Sequence, residues 1–284
     1  MRVKVWGCRG SLPTPGPETV RYGGNTSCIE VGLDDGSVLV FDAGTGIVEL
    51  GGELARRDVQ KVHLLLTHLH LDHLEGLRFF APMWNPEVEL NIWGPPSPVS
   101  SLRERIALSF SPPLFPIDLH DVPAQVRFLD VPREPWELDG ASLYADLLMH
   151  TGPTLGYRIE ADGFVLAYMP DHEPALLGIT GRTRDWISGA GVAEEADVLL
   201  HDAQYSVEEY EQRIGWGHSS VDDAVLFADA VGARGLVLFH HEPRHDDQTL
   251  ARLEERACEL RGDRYEQPLL AREGLVVPVP TPAR

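Results

Sequence analysis

The sequence predicts an α/β protein in which two mixed β-sheets pack face to face with helices on their outer faces. Each half of the 284-residue chain begins with strand-type segments and then alternates helix with strand, the order expected when mixed sheets are layered with helices. Several apolar runs stop at a His or an Asp, as strands do when their ends line one rim of a site. A hydrophobic fraction of 43% and a charged fraction of 24% are those of an ordinary globular protein with a real core. The length suits one domain over residues 1–284, with a core at 1–277 and a frayed tail at 278–284.

The elements follow in order. Arg2–Gly7 alternates apolar and polar residues and reads as the first strand. A Pro- and Gly-rich loop, Gly10–Gly24, leads to a second strand, Cys28–Gly32. Asp34-Asp35-Gly36 is a hairpin signal. The return strand, Ser37–Phe41, ends in Asp42-Ala43-Gly44-Thr45-Gly46. Ile47–Arg57 reads as a helix and Val62–Leu66 as a buried strand, with Leu74–Leu77 opening another helix. Val88–Trp93 is strand-like and Leu102–Phe110 helical. Ser111–Pro116, rich in Pro and carrying Phe115, reads as a rigid surface connection or as a lid over a site. The second half offers strands at Val126–Asp130, Ser142–Met149, Leu155–Glu160 and Phe164–Met169, and a short one at Val198–Leu200. Helices are expected at Val207–Arg213 and Val221–Val231, a strand at Leu236–Phe239, and a charged amphipathic helix at Asp247–Leu260.

Composition excludes several classes. A formal net charge of -20 leaves no basic footprint for gripping a long nucleic acid. An anionic substrate must then be held locally, by metals or a few arginines. Cys8, Cys28 and Cys258 are odd in number and form no CxxC pair, so reduced thiols are expected. The N-terminal stretch has no apolar signal core, and nothing approaches a membrane span. A cytoplasmic protein without a membrane partner is the simplest expectation.

The chemistry concentrates at Thr67–His73. Three imidazoles and one carboxylate (His68, His70, Asp72 and His73) crowd a strand-to-helix turn. Such donors suit zinc, manganese or iron. Further donors stand at later strand ends: His150, Asp171 and His240, with His172 and His241 as the alternatives to the last two. His63 reads as structural, and His120 and His245 as solvated loop residues. Asp42 is either a turn-capping Asp or a residue that orients a ligand from behind. His201-Asp202-Ala203-Gln204 ends a strand and Gly217-His218-Ser219-Ser220 opens a helix. An Asp held against a His can keep an imidazolium ready to donate a proton; a helix cap beside an incidental His is the alternative.

His68, His70, Asp72 and His73 match the HxHxDH signature of the metallo-β-lactamase superfamily, and His150, Asp171 and His240 match its later ligands in order. The Asp42-Ala-Gly-Thr-Gly turn resembles the family's early Asp-x-Gly motif. His150–Ile159 resembles the His-x-x-Pro-x-x-Gly-Tyr stretch of ribonuclease Z-like phosphodiesterases. His201–Gln204 looks like that branch's His-Glu-Ala-Thr motif with Asp202 in place of Glu, and His218-Ser219-Ser220 like its His-Ser-Thr motif. Leu238–Arg244 resembles its final Leu-Thr-His-Phe-Ser-x-Arg. His68–Leu77 also resembles the HxHLDH signature of a group of cyclic-nucleotide phosphodiesterases, with Arg78 where an aliphatic residue is expected.

The resemblance implies an αβ/βα four-layer sandwich and a dinuclear metal-dependent hydrolase. It implies that His68, His70 and His150 hold one divalent ion, Asp72, His73 and His240 the other, and that Asp171 bridges them, with zinc ahead of manganese or iron. It implies cleavage of a small phosphodiester, such as a cyclic nucleotide, by hydroxide bridging the ions. Asp202 and His218 would deliver the proton, Asp42 would steer a ligand from behind, and Arg244 would bind substrate phosphate. A homodimer is implied as well. The basic arm of transfer-RNA 3′-processing enzymes has no counterpart in the sequence, so a small-molecule partner is expected rather than a long nucleic acid. The alternatives are an ester, thioester or lactone hydrolase and a non-hydrolytic di-iron redox protein.

Overall fold

The structure, a computed structural model, describes residues 1–176, 179, 186–262 and 266–278. The first sheet contains β1 (Arg2–Gly7), β2 (Cys28–Gly32), β3 (Val38–Phe41), β4 (Lys61–Leu65), β5 (Glu89–Gly94) and β6 (Gln125–Asp130), in that spatial order. Its first three strands pair antiparallel, and β3 through β6 run parallel. Helix α1 (Gly46–Arg56) joins β3 to β4, and α2 (Leu102–Ala107) lies between β5 and β6.

The second sheet contains β7 (Trp136–Leu138), β8 (Ala141–Leu148), β9 (Thr154–Ala161), β10 (Phe164–Met169), β11 (Val198–Asp202), β12 (Gly235–Phe239) and β13 (Leu269–Leu270). Here β7 to β10 pair antiparallel and β10 to β13 parallel. Its helices are α3 (Ala190–Ala193), α4 (Val207–Glu211), α5 (Val221–Val231) and α6 (Asp247–Arg261).

Strand alternation builds the four layers. Inward side chains of the first sheet, among them Val5, Ile29 and Phe41, meet Tyr157, Leu166 and Phe239 of the second. The opposite face of β4, with Val62 and Leu64, packs on Ile47, Leu50 and Leu54 of α1. The opposite face of β12, with Leu236 and Leu238, packs beside Phe227 of α5 and Leu250 of α6. Each such side chain contributes roughly 1.5–3 kcal/mol relative to exposure, so both faces of both sheets are anchored. No helix among the described residues is long and apolar enough to cross a membrane.

Several sequence expectations are corrected. Leu74–Leu77 does not open an α-helix; three short 3-10 turns, Leu71–His73, Glu75–Phe79 and Ala81–Trp84, replace it. Gly76 explains the tightness. Its N–H donates to Ala43 O at 2.9 Å, and a Cβ there would stand 2.1 Å from Gly44 O. Helix α2 stops at Ala107, short of Phe110. Beyond it, Phe115 packs against Phe79, Trp84 and Phe110 in the outer layer, so Ser111–Pro116 is a surface connection rather than a lid. Two short strands, β7 and β13, carry too few residues for alternation to be read. The tail expected to fray, 278–284, lies outside the described residues apart from Pro278.

Candidate metal centre

One rim collects the C-terminal ends of six strands. Asp42 follows β3, Thr67–His73 follows β4, His150 follows β8, Asp171 follows β10, Asp202 ends β11 and His240 follows β12. Hydrogen bonds tie the sheets together at this rim. Leu155 N donates to Thr67 O at 2.9 Å, and Tyr157 Oη donates to Leu66 O at 2.8 Å.

Seven donors converge there in two groups. His68, His70 and His150 form one, and Asp72, His73, Asp171 and His240 the other, with the candidate ligand atoms of each group within 4.8 Å of one another. Asp171 faces both. Its Oδ2 lies 2.9 Å from His73 Nε2, and its Oδ1 lies 3.4 Å from His240, 3.7 Å from His150 and 3.8 Å from His68, each at Nε2.

The rings are aimed from behind. His73 Nδ1 donates to Asp42 Oδ2 at 2.9 Å, leaving Nε2 turned inward. Asp42 is itself pinned by Thr67 N at 2.8 Å and Tyr168 Oη at 2.9 Å. His150 Nδ1 donates to Gly217 O at 2.8 Å, and Asp72 Oδ2 accepts from Ser11 N at 2.7 Å. Such partners fix tautomer and orientation in metal sites.

The electrostatics ask for cations. Burial, with the charge of His73 beside it, holds His68 well below the usual histidine range, in the neutral form that ligates. Burial likewise lowers His70 and His150. For His73 burial opposes the charge, but Asp171, Asp72 and Asp42 outweigh it and push the ring upward. Three carboxylates around one buried imidazole demand more positive charge than one proton supplies. Buried His68 Nε2 has no hydrogen-bond partner, and His73 Nε2 and His240 Nε2 lie 3.2 Å apart. The donor set therefore fits divalent ions.

Comparison with known proteins gives the lineage. Residues 38–241 match the Beta-lactamase superfamily domain. The chain belongs to that superfamily. It is 27% identical over 284 residues to the ribonuclease Z of Haloarcula marismortui, covering 86% of this chain and 87% of that one. Among solved structures, the metallo-beta-lactamase fold protein YhfI from Bacillus subtilis matches with a TM-score of 0.69 at 18% identity, over 97% of this chain and 98% of that one. A diphosphatase from the PhnP family matches with a TM-score of 0.67 at 17% identity, over 98% and 97%. These two likenesses bear on the fold, and the four-layer sandwich is that of the superfamily.

Within this superfamily rim, His218 stands beside the donors. Its ring stacks on His240 with centroids 5.0 Å apart and planes at 14°, and meets His150 edge-on at 4.9 Å. His218 Nδ1 donates to Asp202 Oδ2 at 2.6 Å. Asp202 Oδ1 accepts from Gln204 N at 3.0 Å and Ser219 N at 3.1 Å, so the shorter Asp still reaches the imidazole. Burial opposes the His218 charge, yet the Asp202 carboxylate raises the ring to about 9. Cations in the adjacent cluster work against that charge. The helix-capping role falls to Ser220, whose hydroxyl accepts from Asp223 N at 3.0 Å.

The neighbouring histidines turn away. His172 Nδ1 and His201 Nε2 pair at 2.8 Å, and both rings pack on Phe227. His241 Nε2 donates to Ala271 O at 2.8 Å, and burial pushes that ring down to about 3. His63 is buried beside Trp93 and Asp139. His245 was expected in solvent but is buried, with Nε2 3.0 Å from Glu209. Arg244 is a correction too. Its side chain is 84% exposed, 3.9 Å from Glu242, and lines a different hollow with Thr14–Thr19, so the structure does not bring it to the donors.

Sequence reasoning missed Glu173. It is buried and accepts from Tyr210 Oη at 2.8 Å, from Gly215 N at 2.9 and 3.1 Å, and from Gly217 N at 2.9 Å. Its own N–H donates to Met149 O at 3.0 Å. One carboxylate thus fastens the loop that supplies the His150 acceptor and leads into His218. Gly217 has φ +89°, and a Cβ there would stand 2.4 Å from His150 Nδ1. Only the adjacency of Glu173 to the Asp171 strand end could have flagged it.

Proposed function

We propose that this superfamily member is a metal-dependent phosphodiesterase acting on a small phosphodiester such as a cyclic nucleotide. The observation that carries the reading is the Asp202–His218 pair, a proton donor held at 2.6 Å by its carboxylate and stacked against a seven-donor cluster. Similarity to ribonuclease Z supports phosphodiester chemistry. In this reading His68, His70 and His150 hold one ion, and Asp72, His73 and His240 the other. Asp171 serves both. Zinc is the first choice, manganese or iron the alternatives. Two divalent ions so held would supply Lewis acidity toward water and the phosphoryl oxygens.

The protein's own groups do the rest. Asp42 keeps the His73 proton on Nδ1, and Gly217 O does the same for His150, so both rings offer Nε2. Asp202 occupies His218 Nδ1, which leaves Nε2–H to protonate the departing oxygen. Phosphodiester cleavage needs that proton because an alkoxide is a poor leaving group. A thioester site, whose thiolate leaves without a proton, would have less use for a histidine placed so, and the ribonuclease Z similarity favours phosphodiesters over esters and lactones.

The name ribonuclease Z favours a second reading, an RNA substrate, and removes support from the expectation that no long nucleic acid binds. The acidity of the chain favours the small substrate, since each phosphate gripped needs a cation. Cys8, Cys28 and Cys258 are free, which suits a reducing cytoplasm. The test loads the protein with zinc, manganese or iron and offers cyclic nucleotides, bis-p-nitrophenyl phosphate, a 3′-extended transfer RNA, lactones and thioesters. Turnover of the small diesters is expected. No phosphodiester turnover under any metal would overturn the proposal, and preference for the transfer RNA would replace the small substrate.

A further inference from the structure

Beside the donors lies a hollow of about 350 Å³, at the lower end of the range for small-ligand pockets, roughly 300–1,000 Å³. It opens against His68 and His70. Leu69 and the rings of Pro95, Pro96, Pro98 and Pro153 form its walls, and Arg105 is the one arginine or lysine among its lining residues. Prolines lack N–H groups, so these walls offer flat apolar faces and few hydrogen-bond donors. Arg105 sits on α2, whose first turn is locked by the Ser101–Glu104 capping box. Its Nη2 donates to Pro95 O at 2.6 Å, tying the guanidinium to the proline wall.

This composition discriminates among occupants. A second phosphate would want several cationic groups, and the lining provides one guanidinium beside the hydroxyls of Ser97 and Thr151. An alkyl chain would desolvate Arg105 with nothing in return. A planar ring with acceptor atoms on its edge suits both features, because it can lie on apolar faces and engage a guanidinium by stacking or hydrogen bonding. We propose that the proline-walled hollow between His68–His70 and Pro95–Pro98 seats the nucleobase of the substrate, with Arg105 as its recognition residue. The assignment rests on the phosphodiesterase reading and narrows its substrate class to nucleotides.

The test is equilibrium binding to the metal-loaded full-length protein, by calorimetry, of nucleoside 5′-monophosphates and of methyl phosphate, which shares the phosphate and lacks the base. The wild type should bind at least one nucleotide about tenfold or more tighter than methyl phosphate, the scale of one base stack. Arg105→Gln should bring that ratio to within about threefold. Ser97→Trp, which adds an indole to the hollow from the Pro95–Pro98 segment, should do the same and serves if the first variant fails to fold. A wild-type ratio near one, no detectable binding of either phosphate, or a ratio kept by a folded variant would each overturn the assignment. Turnover plays no part in this readout, so failed hydrolysis and a failed base pocket are told apart.

Discussion

The loop pinned by Glu173 gives the sharpest test of how the rim is organised. Glu173→Gln is nearly isosteric but exchanges one acceptor oxygen for an NH2 group. Both carboxylate oxygens are in use: Oε1 accepts from Tyr210 Oη and Gly215 N, Oε2 from Gly215 N and Gly217 N. Whichever way the amide is turned, at least one charge-assisted bond is lost and a donor faces a donor. The buried group that loses its partner costs about 1.5–3 kcal/mol. Gly217 O, the acceptor for His150, moves with the loop, and His218 is the next residue. If the strain is relieved by loop displacement, kcat falls on the order of 10–100-fold, since about 1.4 kcal/mol is a factor of ten. The assay pairs kcat for a diester with a poor leaving group against metal content after dialysis at graded free zinc. Loss of one ion's affinity together with lowered kcat is expected. Glu173→Asp, which keeps the charge, should recover part of both. A Glu173→Gln protein with wild-type kcat and full affinity for both ions would refute the positioning argument.

Other outcomes follow from the same geometry. His218→Ala should slow cleavage of diesters with alkoxide leaving groups about 10²–10⁴-fold while sparing p-nitrophenolate release, whose oxygen needs no proton; equal losses on both would remove the proton-delivery role. Stripping the ions with a chelator should lower Tm, because Asp72 and Asp171 then face His73 without their full counter-charge, and ligands that bind only the folded state stabilise it; an unchanged Tm in demonstrably metal-free protein would contradict this. Burial raises the Cys28 and Cys8 thiols above their ordinary value. The folded state therefore keeps protons that the unfolded state releases above about pH 8.5, so this contribution is complete below that pH and is lost as pH rises. Relative to Cys28→Ala, the wild type should lose about 1.4 kcal/mol per pH unit above that point, read from denaturation midpoints between pH 7 and 10; parallel curves would exclude it.

What could be read in the chain, and what could not, divides along a physical line. The layers were legible because burial on both faces of β10, β11 and β12 writes apolar runs into the sequence, as it does in β4 on either side of His63. The donors were legible because each run ends on a His or an Asp, and a strand end must project its next side chain at the rim. Local signals failed where distance in sequence, not pattern, made the contact. Leu74–Leu77 has helical composition, but the close approach of Gly76 to Gly44 overrides it. His245 sits in a loop, yet Glu209 from α4 reaches it. Glu173 meets glycine N–H groups far along the chain, and no spacing rule connects them.

The same division separates the chemistry of this site from its selectivity. Donor type and strand-end position bring seven candidate ligands to one rim. What such a rim acts on is decided by side chains that approach it from elsewhere in the sequence, as Arg105 of α2 approaches the hollow beside His70. Arg244 carries the opposite lesson: four residues beyond His240, it points into solvent instead. Nearness in sequence to a ligand therefore says little about nearness to substrate, because a residue leaving a strand end can turn toward either side of the rim. In this chain the proline wall and Arg105 are the side chains that border the hollow beside His68 and His70. Exchanging Pro95–Pro98 for glycines should accordingly raise KM for nucleotide diesters while leaving metal content intact, and a KM that did not move would locate substrate choice in some other part of the rim.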